Sequence, residues 1–200
     1  MRFRRTSEPI CPACRSLIPA VERRSERTRA AILRAFVDLL FRGGFESISV
    51  QGIVAEAGIA RSTFYEHFSS KEDLLCASMA QFLTVFAQCA FDRNQPSELS
   101  NVLAHFWENR RLTDAVFSGA PRKIIALSLS EMIEARLREH KSEGLLLPCR
   151  LAAIHISEAQ LALVESWLRG RAFARVDALA RALFMSTRAS AAAMFQPSEP

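Results

Sequence analysis

The segment from Arg61 to Phe68 contains the side chains whose types and spacing best suit a chemical task. It runs Arg-Ser-Thr-Phe-Tyr-Glu-His-Phe. Phe64 and Phe68 are four residues apart and would share one face of a helix, so most of their polar neighbours point elsewhere. Guanidinium, hydroxyl and imidazole groups on such a surface can contact base edges and phosphates. The segment therefore predicts a surface that binds nucleic acid.

Catalytic and metal-binding patterns are weaker. Cys11-Pro12-Ala13-Cys14 is a lone Cys-x-x-Cys, whereas a structural zinc site needs four ligands and a redox site needs a strand–helix context. The other histidines, His105, His140 and His155, are scattered over separate predicted helices. We therefore expect no enzyme activity, no metal and no cofactor, with a thiol oxidoreductase at Cys11 and Cys14 as an alternative.

The positive charge is concentrated at the N-terminus. The formal net charge is +5, and residues 1–24 contain six arginines against two glutamates. Residues 25–70 contain five arginines against five acidic residues, which cancel. Bulk charge is compatible with a polyanionic partner, but a nucleic-acid surface in the body of the protein must come from local clustering. The basic tail itself is predicted to be disordered, with an arm in a DNA minor groove as the alternative.

The stretch from Leu74 to Phe91 contains no charged residue and has to be tested as a membrane span. Its polar residues recur every three or four positions and form one stripe on a helix: Ser78, Gln81, Thr84 and Gln88. A spanning helix would not keep such a stripe, so we predict a buried amphipathic helix and no membrane association. The N-terminus lacks an apolar core of signal-peptide length, so export is not expected. The five cysteines are an odd number without the spacing of a disulfide framework, which fits a reducing cytoplasm.

Glycine and proline residues divide the chain into helices, and no alternating strand pattern lies between them. The expected fold is all-α: an N-terminal three-helix DNA-binding module, followed by a C-terminal helical domain for effector binding and dimerisation. The predicted divisions are a tail at 1–24, the module at 25–72, the second domain at 73–195 and a short tail at 196–200. The predicted helices span about 26–42, 50–57, 60–68, 71–91, 98–111, 121–142, 149–169 and 173–195, with a shorter turn near 113–118.

Two short helices around Gly58 have the dimensions of a helix-turn-helix. Ser49 is placed to cap the first, and Gly58 ends it. The second contains Arg61 to Phe68 and would enter the major groove, while the first crosses the DNA backbone.

The same residues resemble the TetR/AcrR family of transcriptional repressors. The resemblance covers some fifty residues without a gap, and its most specific part is the closing Thr-Phe-Tyr-x-His-Phe-x-x-Lys pattern. It rests on Gly44-Phe45-Glu46, on Ser49-Val50-Gln51-Gly52-Ile53-Val54-Ala55-Glu56-Ala57-Gly58-Ile59, on Thr63-Phe64-Tyr65-Glu66-His67-Phe68 and on Lys71-Glu72-Asp73-Leu74-Leu75. This resemblance implies a cytoplasmic homodimer that binds a palindromic operator in double-stranded DNA and is released by a small molecule.

Roles for individual residues follow from the resemblance. Arg61 and Thr63 match positions that approach bases, and Ser62 lies beside them. The positions of Tyr65, His67 and Lys71 usually contact phosphates, and that of Gln51 often touches the backbone.

Two departures weaken the pattern. Ala60 stands where the family usually has Ser or Thr, so the second helix loses a side-chain cap. Gly52 stands where an acidic residue usually completes a capping box with Ser49. These changes leave an alternative function open: a helical ligand-sensing or protein-interaction module with weakened DNA binding.

The C-terminal part carries the other expectations. The family plan implies a pocket for a largely apolar effector of unknown identity, with plain core packing as the alternative for each lining residue. The candidate lining residues are Phe82, Phe86, Phe106, Trp107, Phe117 and Met132. The last two helices are apolar on more than one side, with Leu163 and Trp167 forming a second stripe on the first of them. A second stripe predicts a partner helix, and hence a four-helix interface between two copies.

Overall fold

The computed structural model describes residues 12–91, 96–141 and 144–195, and within these ranges the fold is all-helical apart from one isolated bridge between Leu145 and Phe195. The helices are α1 Pro12–Gly43, α2 Val50–Ala57, α3 Arg61–His67, α4 Lys71–Gln88, α5 Pro96–Glu108, α6 Arg110–Val116, α7 Gly119–Lys141, α8 Cys149–Leu168 and α9 Val176–Ala193. A single 3-10 turn, Phe45–Ser47, joins α1 to α2. The all-α prediction is confirmed.

The start of α1 differs from the sequence-based expectation. The pattern predicted a helix from about Glu26 and a disordered tail before it, whereas α1 begins at Pro12. Proline suits the first helical turn because its missing amide hydrogen has no partner there anyway. Pro19 also lies inside α1, although proline residues are expected to separate helices. Residues 1–11, including Cys11, lie outside the described part of the chain, so the Cys11/Cys14 motif is not seen as a unit.

Helices α1 to α3 pack around a small aromatic core. Phe36 and Phe64 are fully buried, and the Phe36 and Phe45 rings meet edge to face at 6.4 Å. Phe64 and Phe68 lie 6.1 Å apart and are both buried, which confirms that they anchor α3 to the core. Because seven residues are too few to form a stable helix alone, α3 depends on this anchoring.

Helix α4 connects these residues to the larger part of the same hydrophobic core, which α4 to α9 form. It packs against α1, α5 and α7, while α7 packs on α8 and α5 on α9. Deep in the larger core, the Gln160 side chain of α8 donates from Nε2 to the Phe86 carbonyl of α4 at 3.0 Å and to Thr187 Oγ1 of α9 at 3.2 Å. A buried polar contact of this kind fixes the relative register of three helices, because breaking it would leave buried polar groups unpaired.

Candidate functional site

The turn between α2 and α3 has the geometry of a helix-turn-helix. Gly58 adopts a left-handed conformation, with φ 64° and ψ 38°, which glycine reaches without the Cβ penalty of other residues. The Ile59 amide donates to the Val54 carbonyl at 3.2 Å and the Gly58 amide to Ala55 at 3.3 Å. This Schellman-type ending satisfies the last carbonyls of α2 and turns the chain directly into α3.

Helix α3 presents its polar residues away from the core. Arg61, Ser62 and Tyr65 are exposed, while Thr63 and His67 are half-buried. The Arg61 guanidinium donates from Nη2 to the Tyr65 hydroxyl at 3.3 Å and lies 5.7 Å from the centre of the Tyr65 ring. The first two turns of α3 therefore form a polar surface, rich in donors but including the Glu66 carboxylate, on a helix whose opposite face is fixed.

The two helix starts differ in their capping. Ser49 Oγ accepts a hydrogen bond from the Gly52 amide at 3.1 Å, so α2 keeps its N-cap. Ala60 occupies the N-cap of α3 and supplies no side-chain hydrogen bond. Gly52 provides no carboxylate to complete the capping box. The family's usual cap is thus present at α2 and missing at α3.

Two arginines of α1 contact the helix pair, one through an ion pair and one through a cation–π contact. Arg42, at the end of α1, forms a bidentate pair with Glu56 of α2 at 2.8 and 3.1 Å. The side-chain hydrogen bond from Arg42 lowers the pKa of Glu56 below its ordinary value. The Arg29 guanidinium lies 4.9 Å from the centre of the Phe68 ring. Both contacts tie α1 to the helix pair. Gln51, which was predicted to touch the DNA backbone, is exposed on α2.

Lys71, the first residue of α4, faces back toward the turn before α2. Its ammonium donates to the main-chain oxygens of Phe45 at 3.2 Å and Ile48 at 3.1 Å. It also lies 4.5 Å from the centre of the Phe45 ring. An ammonium has three N–H donors, and two of them serve the main chain of this protein. The resemblance predicts a phosphate contact for Lys71, but no sequence pattern indicates these hydrogen bonds to the main chain.

A hollow of about 590 Å³ lies between α1 and α3. It is lined on the α1 side by Arg24, Ser25 and Thr28, and on the α3 side by residues that include Thr63 and His67. Glu66 also lines it, so the hollow is not uniformly basic. It brings hydroxyl and guanidinium groups of α1 beside the polar face of α3.

A larger cleft of about 710 Å³ opens between α4 and α5. Its lining residues are Gln81, Phe82, Thr84, Val85, Gln88, Glu98, Asn101, Val102 and His105. Three of them belong to the polar stripe of α4, which sequence analysis had used only to argue against a membrane span. This polar stripe is therefore a feature of the sequence that could have indicated a cleft beside α4.

Of the six aromatic and methionine residues proposed for an apolar pocket, Phe82 lines this cleft, where its ring stacks on His105 at 5.3 Å. The rings of Phe86, Phe106 and Phe117 are buried against one another, with Phe106 and Phe117 5.4 Å apart. Trp107 stacks on Trp167 at 4.8 Å, and Met132 packs half-buried on the core. An apolar pocket lined by some of these six residues stays a prediction, and the cleft is a different, more polar cavity.

The outer faces of α8 and α9 expose several apolar side chains, beside polar ones such as His155 and Arg181. Leu151, Ile154 and Leu163 project from α8, and Met185 projects from α9 among exposed alanines. The prediction that Trp167 belongs to this face with Leu163 is wrong. Trp167 is buried, and its Nε1 donates to the Ala174 carbonyl at 2.9 Å.

Within the described ranges, no group of three or more His, Cys, Asp or Glu residues is arranged to hold a metal ion. Over the same ranges, no helix is both long and apolar enough to span a membrane.

The chain is similar to known proteins in both sequence and fold. Residues 32–77 match the family described as bacterial regulatory proteins, tetR family. Over 73 aligned residues the chain is 36% identical to the HTH-type transcriptional regulator YxbF of Bacillus subtilis (strain 168), and the match covers 32% of this chain and 19% of that relative. The match thus spans about a fifth of the curated relative's length. The fold resembles a TetR transcriptional regulator from Streptococcus agalactiae 2603V, with a TM-score of 0.54, 24% identity, and coverage of 85% of this chain and 98% of that one.

Proposed function

We propose that this chain, whose residues 32–77 match the tetR family of bacterial regulatory proteins, is a regulator of that family: a homodimeric, cytoplasmic, sequence-specific repressor released from its operator by a small molecule. The observation that carries the proposal is the arrangement of α3. Phe64 and Phe68 fix one face of this helix in the core, while Arg61, Ser62 and Tyr65 remain exposed on the rest. A short helix presented in this way can enter the major groove of DNA.

The contacts to DNA are divided by their position on the motif. Arg61 and Thr63, in the first turn of α3, are proposed to approach base edges, with Ser62 beside them. Tyr65 and His67 are proposed to contact phosphates, as is Gln51 from α2. Lys71 is proposed to hold the turn before α2 and to offer its remaining N–H to a phosphate. In a dimer on its operator, the two α3 helices should stand about 34–36 Å apart, one turn of DNA.

The exposed apolar faces of α8 and α9 support the dimer. A helix needs one apolar stripe to pack in its own domain, and these two helices already bury theirs through residues such as Leu161 and Leu183. The outward leucine, isoleucine and methionine side chains would then pair with the same helices of a second copy in a two-fold arrangement. Such a pairing would form a four-helix bundle.

Helix α4 supports a route from effector to DNA. Its 18 residues give it a length of about 27 Å. Its first residue, Lys71, is bonded to the turn before α2, and its last turns line the cleft. Gln160 bonds to the same end of α4 and to α9. A ligand that shifts α4 would therefore change the position of the helix-turn-helix and its distance from the helix-turn-helix of the second copy. If the ligand binds more tightly to the conformation that does not fit the operator, it would release the DNA.

Selection from a pool of random-sequence duplexes tests the function directly. The full-length protein should enrich a palindromic sequence and bind it with an affinity that falls steeply with salt. The alternative, a ligand-sensing module that no longer binds DNA, draws on one observation: α3 has no side-chain cap. It predicts no enriched sequence and only weak binding that is equal for all duplexes.

A further inference from the structure

Gln160 of α8 carries a buried hydrogen-bonding atom that has no partner. Its side chain is 1% exposed, and its Nε2 donates to the Phe86 carbonyl and to Thr187 Oγ1. Its Oε1 accepts no hydrogen bond, and within the described part of the chain it is the one buried side-chain nitrogen or oxygen in this state. Buried polar groups in proteins are nearly always hydrogen-bonded, so this oxygen calls for a donor.

The chain itself does not supply that donor. Turning the amide by 180° would place Oε1 against the Phe86 carbonyl, where two acceptors would face each other. A lone water molecule fits poorly as well, because buried waters typically make about three hydrogen bonds. The Phe86 oxygen already accepts from Gln160 at 3.0 Å and from the Cys89 amide at 3.2 Å, so it has little capacity left for a water. The unpaired oxygen therefore favours a larger molecule with an N–H or O–H group.

The side chains around this junction determine what the rest of such a molecule looks like. Phe86, whose carbonyl Gln160 contacts, has its ring nearly parallel to that of Phe106, with centroids 6.3 Å apart. Phe106 in turn meets Phe117 edge to face at 5.4 Å. All three rings are buried. A molecule among them has to be apolar over most of its surface, and a flat ring suits their edges and faces.

This aromatic layer extends to the cleft between α4 and α5. The half-buried Phe82 ring lines the cleft and meets Phe106 edge to face at 5.1 Å. On its other side Phe82 stacks on His105, which is exposed. A ligand ring that displaces Phe82 from Phe106 would thus enter the layer from the cleft, whose volume of about 710 Å³ falls within the range of small-molecule sites.

From these observations we propose that Gln160 is the polar anchor of the effector site, and that the effector is a flat, mainly apolar molecule with one N–H or O–H donor that binds Oε1. This proposal rests on the proposed function, because it names the chemistry of the molecule that would release the operator. The anchor contacts α4 through Phe86 and α9 through Thr187, so a ligand bound to it acts where these two helices meet α8.

Indole and benzofuran test the anchor, because they share one fused-ring shape and only indole has an N–H donor. Each is titrated by calorimetry into the full-length protein without DNA. Indole should bind about tenfold more tightly, as expected for one hydrogen bond to a buried acceptor. In the same titrations followed by NMR, the side-chain carbonyl carbon of Gln160 should shift downfield more with indole than with benzofuran, because accepting a hydrogen bond deshields that carbon.

Matched variants at the junction locate the preference. Gln160→Met keeps a similar volume and removes Oε1, so the ratio of the two dissociation constants should fall to about one. The Phe86 oxygen keeps the Cys89 amide in this variant. Thr187→Val alters the other partner of the same amide but keeps Oε1 and the bond to Phe86, so the ratio should stay about ten. Phe82→Ala should tighten both probes alike, because it removes the ring that a ligand has to displace.

The anchor is overturned if indole and benzofuran bind the unaltered protein equally, which would leave water as the partner of Oε1. It is also overturned if neither probe binds at millimolar concentration, or if the advantage of indole persists in Gln160→Met. Weaker binding of both probes to Phe82→Ala would overturn entry from the cleft. Operator binding, measured without any probe, reports on the proposed function separately. Normal operator binding without an indole preference would refute the anchor alone, and an indole preference without operator binding would refute the repressor and keep the site.

Discussion

The ammonium of Lys71 lies 3.2 Å from the Phe45 carbonyl oxygen and 4.5 Å from the centre of the Phe45 ring. Lys71 is the first residue of α4, and Phe45 begins the turn that leads into α2. The contact therefore joins the helix that lines the cleft to the segment that sets the direction of the DNA-binding pair.

Replacing Lys71 with methionine should have two effects. The protein should lose about 1–3 kcal/mol of unfolding free energy, because two main-chain acceptors lose a charged donor. Affinity should fall alike for every duplex, and the slope of log affinity against log salt should decrease by about 1 if the third N–H contacts a phosphate. Thermal unfolding and fluorescence anisotropy at several salt concentrations measure both.

Lys123→Met, at an exposed position of α7, is the matched control for loss of one positive charge and should change neither quantity appreciably. An unchanged salt slope in Lys71→Met, together with lost stability, would show that Lys71 acts by bracing the turn and does not contact phosphate.

Gly52 offers a second test, because its glycine is not required by the structure. A Cβ built at Gly52 would meet Ser49 Oγ at 3.5 Å and Leu39 Cδ1 at 3.9 Å, which are ordinary contact distances. Gly52→Ala should therefore stabilise the protein by about 0.5–1 kcal/mol through helix propensity and a less flexible unfolded chain.

Gly58→Ala is the matched comparison and should have the opposite sign. A Cβ at Gly58 meets nothing within 4 Å, yet φ is +64° there, so the left-handed backbone costs an L-residue roughly 1–2 kcal/mol. Chemical denaturation of both variants decides the matter. If both were destabilised to a similar degree, the helix at Gly52 would be under a constraint that these distances do not show.

The sequence predicted the helix-turn-helix well because its determinants are local. Ser49, Gly58 and the Phe64/Phe68 spacing act over a few residues, and α2 lies at the predicted 50–57. The cleft could not be predicted in the same way. It depends on how α5 lies beside α4, and nothing in the local pattern distinguishes a polar stripe that faces α5 from one that faces water. Trp167 was misplaced for a similar reason, since its partners Trp107 and Ala174 come from outside α8.

The dimer predicts a response to one exposed side chain. Met185 on α9 is 61% exposed in the single chain, so a charge there should cost little in folding. In a four-helix interface it would be buried, and Met185→Glu should convert the dimer to monomer at micromolar concentration by placing two carboxylates in an apolar contact. Sedimentation velocity measures the change.

Leu127→Glu is the control for that experiment. Leu127 is 51% exposed on α7, which is not one of the two helices proposed to form the interface, so its replacement should leave the oligomeric state unaltered. A dimer that survives Met185→Glu but dissociates in Leu127→Glu would move the interface to α7.

The last prediction separates base contacts from phosphate contacts in α3. Arg61 is the first residue of the helix, exposed, and held in place on one side by the Tyr65 hydroxyl at 3.3 Å. An arginine so placed can pair with the two acceptors of a guanine in the major groove. Arg61→Ala should therefore cost about 1–3 kcal/mol on the enriched operator and less on scrambled duplex, with relaxed preference at one base pair of each half-site. Tyr65→Phe keeps the ring and removes the hydroxyl, so it should weaken operator and scrambled duplex alike if that hydroxyl contacts phosphate. Both variants are titrated against both duplexes at several salt concentrations. Equal losses on operator and scrambled duplex in Arg61→Ala would assign Arg61 to the DNA backbone, and sequence selection would then have to come from Thr63 and Ser62.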